Sequence, residues 1–360
     1  MGLMKLLAQA PPAVEVAAVG MDPTALAQVQ PECTAVIGPD ESLQDAIDQA
    51  EPGAVLCLEA GTWEENISIG KDLTIRGVRP NQTILRPKAP FEPVILINSD
   101  EVIEVAIEEL MVTGADIGIE LRGRAEAMLT NLQISGNFVS AFGKLSAGVM
   151  AGGSVQLTIS RSWIFGNGYI GLVIKEGAQL NLIKSMVDLQ GLGLEVRDEA
   201  QVHIVDSEIS DNGDGLLLVG SSQVEITDSQ ISRNGFRGIS ARGSARLEVR
   251  NSEVSRNGVG PSPYPSDCPI KDRICSGIEL GEEVQLRLID SVIRYNADWG
   301  LAAVLRRCGF GLDSFRGQVI FEGENIIEGN NRTGDQDDMG NPGEHPWNRP
   351  EVSGGQVCLP

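Results

Sequence analysis

The sequence predicts an all-β solenoid, and three observations carry that prediction. From His203 to Gly258 the chain says nearly the same thing three times, HIVDSEISDNGDG, EITDSQISRNGFRG and EVRNSEVSRNG, with Ser207, Ser229 and Ser252 at steps of 22 and 23 residues. A period of that size belongs to stacked repeats rather than to one compact core. Forty-two glycines beside an aromatic content of 4% indicate many tight turns around an aliphatic interior. At fixed offsets from each serine, aliphatic residues alternate with polar ones, the pattern of short half-buried strands.

Residues 1–36 open with MGLMKLLAQAPPAV, which reads as a signal-peptide remnant with an AxA-like site at Ala8-Gln9-Ala10, followed by an Ala- and Pro-rich linker. Residues 37–330 are expected to form the solenoid, and residues 331–360 an irregular tail or cap. At its start Ser42 can cap a short helix, SLQDAIDQA, whose Leu43, Ala46, Ile47 and Ala50 share one face before Pro52-Gly53 ends it. Such a helix would cover the exposed strand edges of the first coil. Four short alternating strands follow, VLCLEAGTW, ENISI, LTIRGV and TILRP.

Six serines mark equivalent positions at 162, 185, 207, 229, 252 and 291. Counting back from them, Leu157, Leu180, Val202, Val224, Leu247 and Leu286 make one inward stack, and Ile159, Leu182, Ile204, Ile226, Val249 and Leu288 the next. Ile164, Val187, Ile209, Ile231, Val254 and Ile293 make a third, and together they predict a parallel β-helix. An asparagine series at 137, 167, 212, 234, 257 and 296 falls at the turns, with Gln190 interrupting it. Asparagine tolerates positive φ, and its amide both donates and accepts, so a hydrogen-bonded ladder between coils is expected. Between Asn257 and Gly277 the period is broken by VGPSPYPSDCPIKDRICS, an insertion of the kind that walls a binding site. GQVIFEGENIIEGNN reads as the last coil.

The run from Ser42 to Leu85 resembles the opening segment of right-handed parallel β-helix proteins, including pectin esterases and pectate-lyase-like chains. The likeness lies in a capping helix, a PGD-like turn written here Pro52-Gly53-Ala54, an AGTY-like strand end with Trp63 for the tyrosine, and the strands ENISI and LTIRG. It implies a right-handed coil and a polysaccharide or cell-surface glycan as partner. The catalytic motifs of such families do not carry over. Neither His203 nor His345 is flanked by glycines as in polygalacturonase-like chains, and the Asp-Pro-His-Asp motif of mannuronan epimerase-like chains is absent. Two histidines and eight methionines likewise form no cluster resembling copper-delivery β-helix proteins.

The net charge of −22 argues against nucleic acid, whose phosphates need a basic surface. It also disfavours an anionic glycan unless calcium bridges the two. No apolar run is long enough to span a bilayer. Six cysteines suit an oxidising, extracytoplasmic compartment, with pairing expected within three regions: Cys33 with Cys57, Cys268 with Cys275, and Cys308 with Cys358. Asp335, Asp337 and Asp338 are oxygen ligands of the calcium-binding type without the rest of an EF-hand loop.

What fails to repeat is where chemistry is sought. Four residues before each serine stand Thr158, Asn181, His203, Glu225, Glu248 and Arg287; immediately before it stand Arg161, Lys184, Asp206, Asp228, Asn251 and Asp290. His203, Asp206, Glu225 and Asp228 are the candidate catalytic set, with Glu248, Arg250, Arg287 and Lys184 as candidate substrate contacts. Carboxylates one strand apart either raise one another's pKa or share a cation, and both arrangements serve glycan chemistry. The competing expectation is a charged outer wall whose residues pair with one another, on a solenoid that acts as an adhesive or spacer.

Overall fold

The computed structural model describes residues 32–138, 146–259, 275–303, 315–330 and 357–358. The described chain from Cys33 onward is a parallel β-helix with three strands per coil. One coil shows the plan: Leu192–Val196 on a first face, Gln201–Val205 on a second and Glu208–Ser210 on a third. Each strand pairs in parallel with its equivalent one coil on. The third face is an 11-stranded sheet. The first and second faces form one continuous 21-stranded sheet, because Ile95–Glu108 and Ile117–Thr130 run unbroken from one face to the other.

The inward stacks read from the sequence are stacks in register. Leu157, Leu180, Val202, Val224, Leu247 and Leu286 are successive pairing partners, and so are Ile164, Val187, Ile209, Ile231, Val254 and Ile293. All are buried, and each such side chain contributes about 1.5–3 kcal/mol by leaving water. The first face is buried on both sides: Leu172 and Leu194 point into the core, while Met150, Val173 and Glu195 on the opposite side are also buried. That is why strands such as IGLVI read as unbroken apolar runs instead of alternating. Glu195 is held there by Arg197 at 2.6 Å.

The turns correct one expectation. The ladder asparagines are not the positive-φ residues; those immediately before them are, with Leu189, Asp211, Arg233, Arg256 and Tyr295 between 55° and 59°. The asparagine is there for its amide. Asn212, Asn234, Asn257 and Asn296 each donate both backbone N–H and Nδ2 to the Oδ1 of the next asparagine, at 2.9–3.1 Å, ending on Asn330. Gln190 does not break the column. Its longer side chain still accepts the Asn167 N–H at 2.7 Å and donates to Ile164 O at 3.1 Å, and only the amide-to-amide bond is missing at that rung. The serines form a second column: from Ser185 on, each Oγ accepts the N–H of the serine one coil before, as Ser229 does from Ser207 at 3.1 Å, while Ser162 accepts from Leu132, and each donates to a carbonyl two residues back. Gly171, Gly193, Gly215, Gly238, Gly277 and Gly300 form a further column required by close approach, since a Cβ on Gly215 would lie 2.3 Å from Gly238 O.

At the N-terminal end Ala35–Ile37 pairs with Ala54–Leu58, and Cys33 is bridged to Cys57. The helix spans Leu43–Gln49. Ser42 Oγ accepts the Asp45 N–H, Glu65 accepts the N–H groups of Leu43 and Gln44, and Leu43 and Ile47 are buried against the first coils. The last complete coil contains Gln318–Glu322 and Ile326–Glu328. Beyond it, Val357–Cys358 extends the first face beside Leu301–Ala302. Cys275 is disulfide-bonded, with its partner outside the described residues. The expected pairing of Cys308 with Cys358, the insertion after Asn257 and the acidic triplet Asp335, Asp337 and Asp338 also lie outside them.

Candidate functional site

Alternation along Gln201–Val205 turns Val202 and Ile204 inward and His203 outward, between Asn181 and Glu225 of the neighbouring coils. The same register continues to Glu248 and Arg287, so these four stand in one column on the second face. His203 Nδ1 lies 3.9 Å from Glu225 Oε2, with the two side chains 51% and 60% exposed. At that distance and exposure the pair is a loose surface contact. Glu248 is more committed: Arg250 reaches it at 2.8 Å and Arg287 at 2.7 Å, and Arg287 continues to Glu322 at 2.9 Å. The hydrogen bond to Glu322, with the charge of Glu248 beside it, holds the Arg287 guanidinium above its ordinary range. Glu225, Glu248, Arg287 and Ile320 line a small depression of about 180 Å³.

Asp206 and Asp228 do not share that column. They occupy the corner between the second and third faces, where Arg161, Lys184, Asp206, Asp228, Asn251 and Asp290 all adopt φ of 47–51°. This left-handed residue turns the chain sharply after each second-face strand, and stacking the turns leaves a trough of about 770 Å³ along the solenoid. Its other wall is the outward column of the third face, in pairing order Trp163, Met186, Glu208, Gln230, Glu253 and Val292. Lys184 Nζ and Asp206 Oδ2 are 3.9 Å apart within it. The eight sequence-predicted site residues thus divide: His203, Glu225, Glu248, Arg250 and Arg287 lie on the second face, while Lys184, Asp206 and Asp228 lie in the groove.

Two residues escaped the sequence reading: Trp163, which lines the groove, and its hydrogen-bond partner Asp188, which does not. Trp163 stacks on Phe165 with ring centroids 3.9 Å apart, and its Nε1–H donates to Asp188 Oδ1 at 2.7 Å. Burial pushes the Asp188 carboxyl above the usual aspartate value, against the Trp163 hydrogen bond and with help from the charges of Asp211 and Glu208. The signal was faint: Phe165 and Asp188 interrupt the run of Ser135, Ser210, Ser232 and Ser255 in a column that begins with Thr113 and ends with Arg294 and Glu328. Among the described residues no group of three or more His, Cys, Asp or Glu side chains is placed to hold a metal ion, and no helix is long and apolar enough to cross a membrane.

The family described as "Right handed beta helix region" matches residues 117–270 and 185–340. Among solved structures, ORF18 of Geobacillus virus E2 is similar with a TM-score of 0.57 at 14% identity, over 79% of this chain and 57% of that one. The A-module of the Azotobacter vinelandii mannuronan C-5 epimerase AlgE4 gives 0.51 at 12% identity, over 79% and 92%. The DFA-IIIase of Arthrobacter chlorophenolicus A6 gives 0.52 at 11% identity, over 78% and 76%. At these identities the likeness is one of fold. No curated protein sequence matches the chain.

Proposed function

Because the chain belongs to the right-handed β-helix family, we propose that it is an extracytoplasmic protein that binds a polysaccharide along the groove between its second and third faces. The observation that carries this reading is the groove itself, a trough of about 770 Å³ crossing successive coils and walled by an ordered tryptophan and several carboxylates. Carboxylates accept hydrogen bonds from sugar hydroxyls, and indole offers an apolar face to a sugar ring. The mannuronan epimerase of like fold is named for a polysaccharide. The Cys33–Cys57 disulfide and the bonded Cys275 suit an oxidising compartment.

In this reading Asp206 and Asp228 touch the glycan from the groove floor, and His203 and Glu225, across the corner on the second face, are the groups available for acid–base work. Lys184 contacts the chain in the groove, and Glu248, Arg250 and Arg287 border its path. Binding of neutral and uronic polysaccharides, with and without calcium, tests the proposal directly. Saturable binding weakened by Trp163→Ala and Asp228→Asn supports it, and a correctly folded protein that binds none of them overturns it.

A second reading, a rigid adhesive or spacer solenoid, is favoured by the mutual pairing of Glu248, Arg250, Arg287 and Glu322. These charges satisfy one another within the wall. Bond cleavage lost on His203→Ala, with the melting temperature unchanged, would exclude it.

A further inference from the structure

We infer that the groove takes a neutral, hexose-based chain laid along the solenoid axis, one sugar unit per coil, with the unit at the amino-terminal end of the groove stacked on Trp163. This rests on the polysaccharide-binding reading and narrows it in class, register and direction.

Register comes from the stacking. Parallel strands repeat about every 4.8 Å, close to the length of one hexose unit in an extended chain. Each coil presents one corner residue and one third-face residue to the groove, so each sugar meets an equivalent pair: Asp206 with Glu208, then Asp228 with Gln230, then Asn251 with Glu253.

Class comes from charge. The groove holds carboxylates at positions 206, 208, 228, 253 and 290. Arg233 pairs with Glu208 at 2.8 Å, Arg294 with Glu253 at 3.0 Å and Lys184 with Asp206 at 3.9 Å, which among the described residues leaves Asp228 and Asp290 as the carboxylates without a cation beside them. A chain carrying one carboxylate per unit meets like charge at these two and no lining cation beyond Arg161 and Lys184, whereas hydroxyls find acceptors at every coil from Asp206 on.

Direction comes from the tryptophan. Trp163 is the aromatic lining residue, stands at the amino-terminal end of the groove and is 37% exposed. Phe165 fixes one side of its ring and Asp188 fixes its Nε1 edge. A ring held on a side and an edge loses little freedom when a ligand stacks on it. Among the described residues nothing comparable lines the other end, where Asp290 and Val292 stand.

The experiment is calorimetric titration of the full chain with neutral gluco-oligosaccharides and length-matched oligouronates, from disaccharide to octasaccharide. The expected result is tighter binding of the neutral series, with affinity rising with length up to about the six coils that line the groove and then levelling. Trp163→Ala should weaken the longest ligand about tenfold, and Trp163→Phe should restore most of the loss although both variants lack the hydrogen bond to Asp188, each measured well below its own melting temperature. Uronates binding as tightly as neutral chains, affinity that stops growing at the disaccharide, or an unaltered Trp163→Ala variant overturns the inference while the broader polysaccharide reading stands. Absence of binding to either series overturns both.

Discussion

Trp163 donates its indole N–H to Asp188 Oδ1 across 2.7 Å, from one coil to the next, and the acceptor is a buried carboxyl stacked between Phe165 and Ser210. The aromatic wall of the groove is therefore tied to a titratable group.

Asp188 gives stability a pH dependence of definite sign. Its pKa is raised chiefly by burial, with Glu208 and Asp211 adding to that and Trp163 and Arg233 opposing it. Between the ordinary aspartate value and the raised one, the folded chain keeps a proton that the unfolded chain has released, so stability falls as pH rises through that window. Asp188→Asn cannot titrate. Its urea midpoint minus that of the natural protein should increase with pH across the window, and a difference independent of pH would contradict the assignment.

Asn234 is donor to Asn257 and acceptor from Asn212. Asn234→Leu removes the Oδ1 that accepts the buried Asn212 N–H, at about 1–3 kcal/mol for the group left unsatisfied, and removes the Nδ2 donor to Asn257 Oδ1, which keeps the backbone N–H of residue 234. The melting temperature should drop by several degrees.

Gly215→Ala should destabilise by about 1–3 kcal/mol. The new methyl would meet Gly238 O at 2.3 Å and Asn234 Nδ2 at 2.8 Å, both fixed by the next coil. Gly166→Ala is the control, because that glycine has nothing within 4 Å and its cost is limited to its φ of 60°. Chemical denaturation of the two variants distinguishes crowding from backbone strain.

The Cys33–Cys57 bridge closes a segment with a sequence separation of 24. Replacing both cysteines with serine should cost about 3 kcal/mol by the loop-closure argument. The loss should concentrate at the first coils, read as faster amide exchange in Ala35–Ile37 and Ala54–Leu58 than in the strands around residue 200.

His203→Ala should shift the melting temperature by little, since His203 is half exposed and its partner is 3.9 Å away. An unchanged melt makes any accompanying loss of glycan processing attributable to chemistry.

The coil architecture was legible because inward positions repeat with a fixed offset, and each of Val202, Val224 and Leu247 occupies the slot its period assigned. The turns were legible only to within one residue. Asparagine is frequent at positive φ, yet here the preceding Leu189, Arg233 or Tyr295 takes that conformation, because stacked coils impose the bend whatever side chain is present. The candidate site was read as one patch, since sequence offsets rank residues along a strand without showing where the chain turns a corner. Asp206 and Asp228 lie beyond that corner from His203 and Glu225. Trp163 and Asp188 were not legible because the outward residues of the third face vary from coil to coil, so no period marks an exception there.

Four ladder asparagines, at 167, 212, 234 and 257, precede glycine. In a free chain this dipeptide ages: the glycine nitrogen attacks the side-chain amide carbon, ammonia leaves, and hydrolysis of the ring gives aspartate or isoaspartate. Stacked coils occupy both reacting groups. The Gly213 N–H is bonded to Gln190 O at 2.8 Å, and the Asn212 amide is held at both its nitrogen and its oxygen. The solenoid thus preserves the chemical identity of its own sequence. A coil that opens exposes its dipeptide to a reaction that does not reverse, and the isoaspartate accumulated at each rung would be a lasting count of how often that rung has come apart.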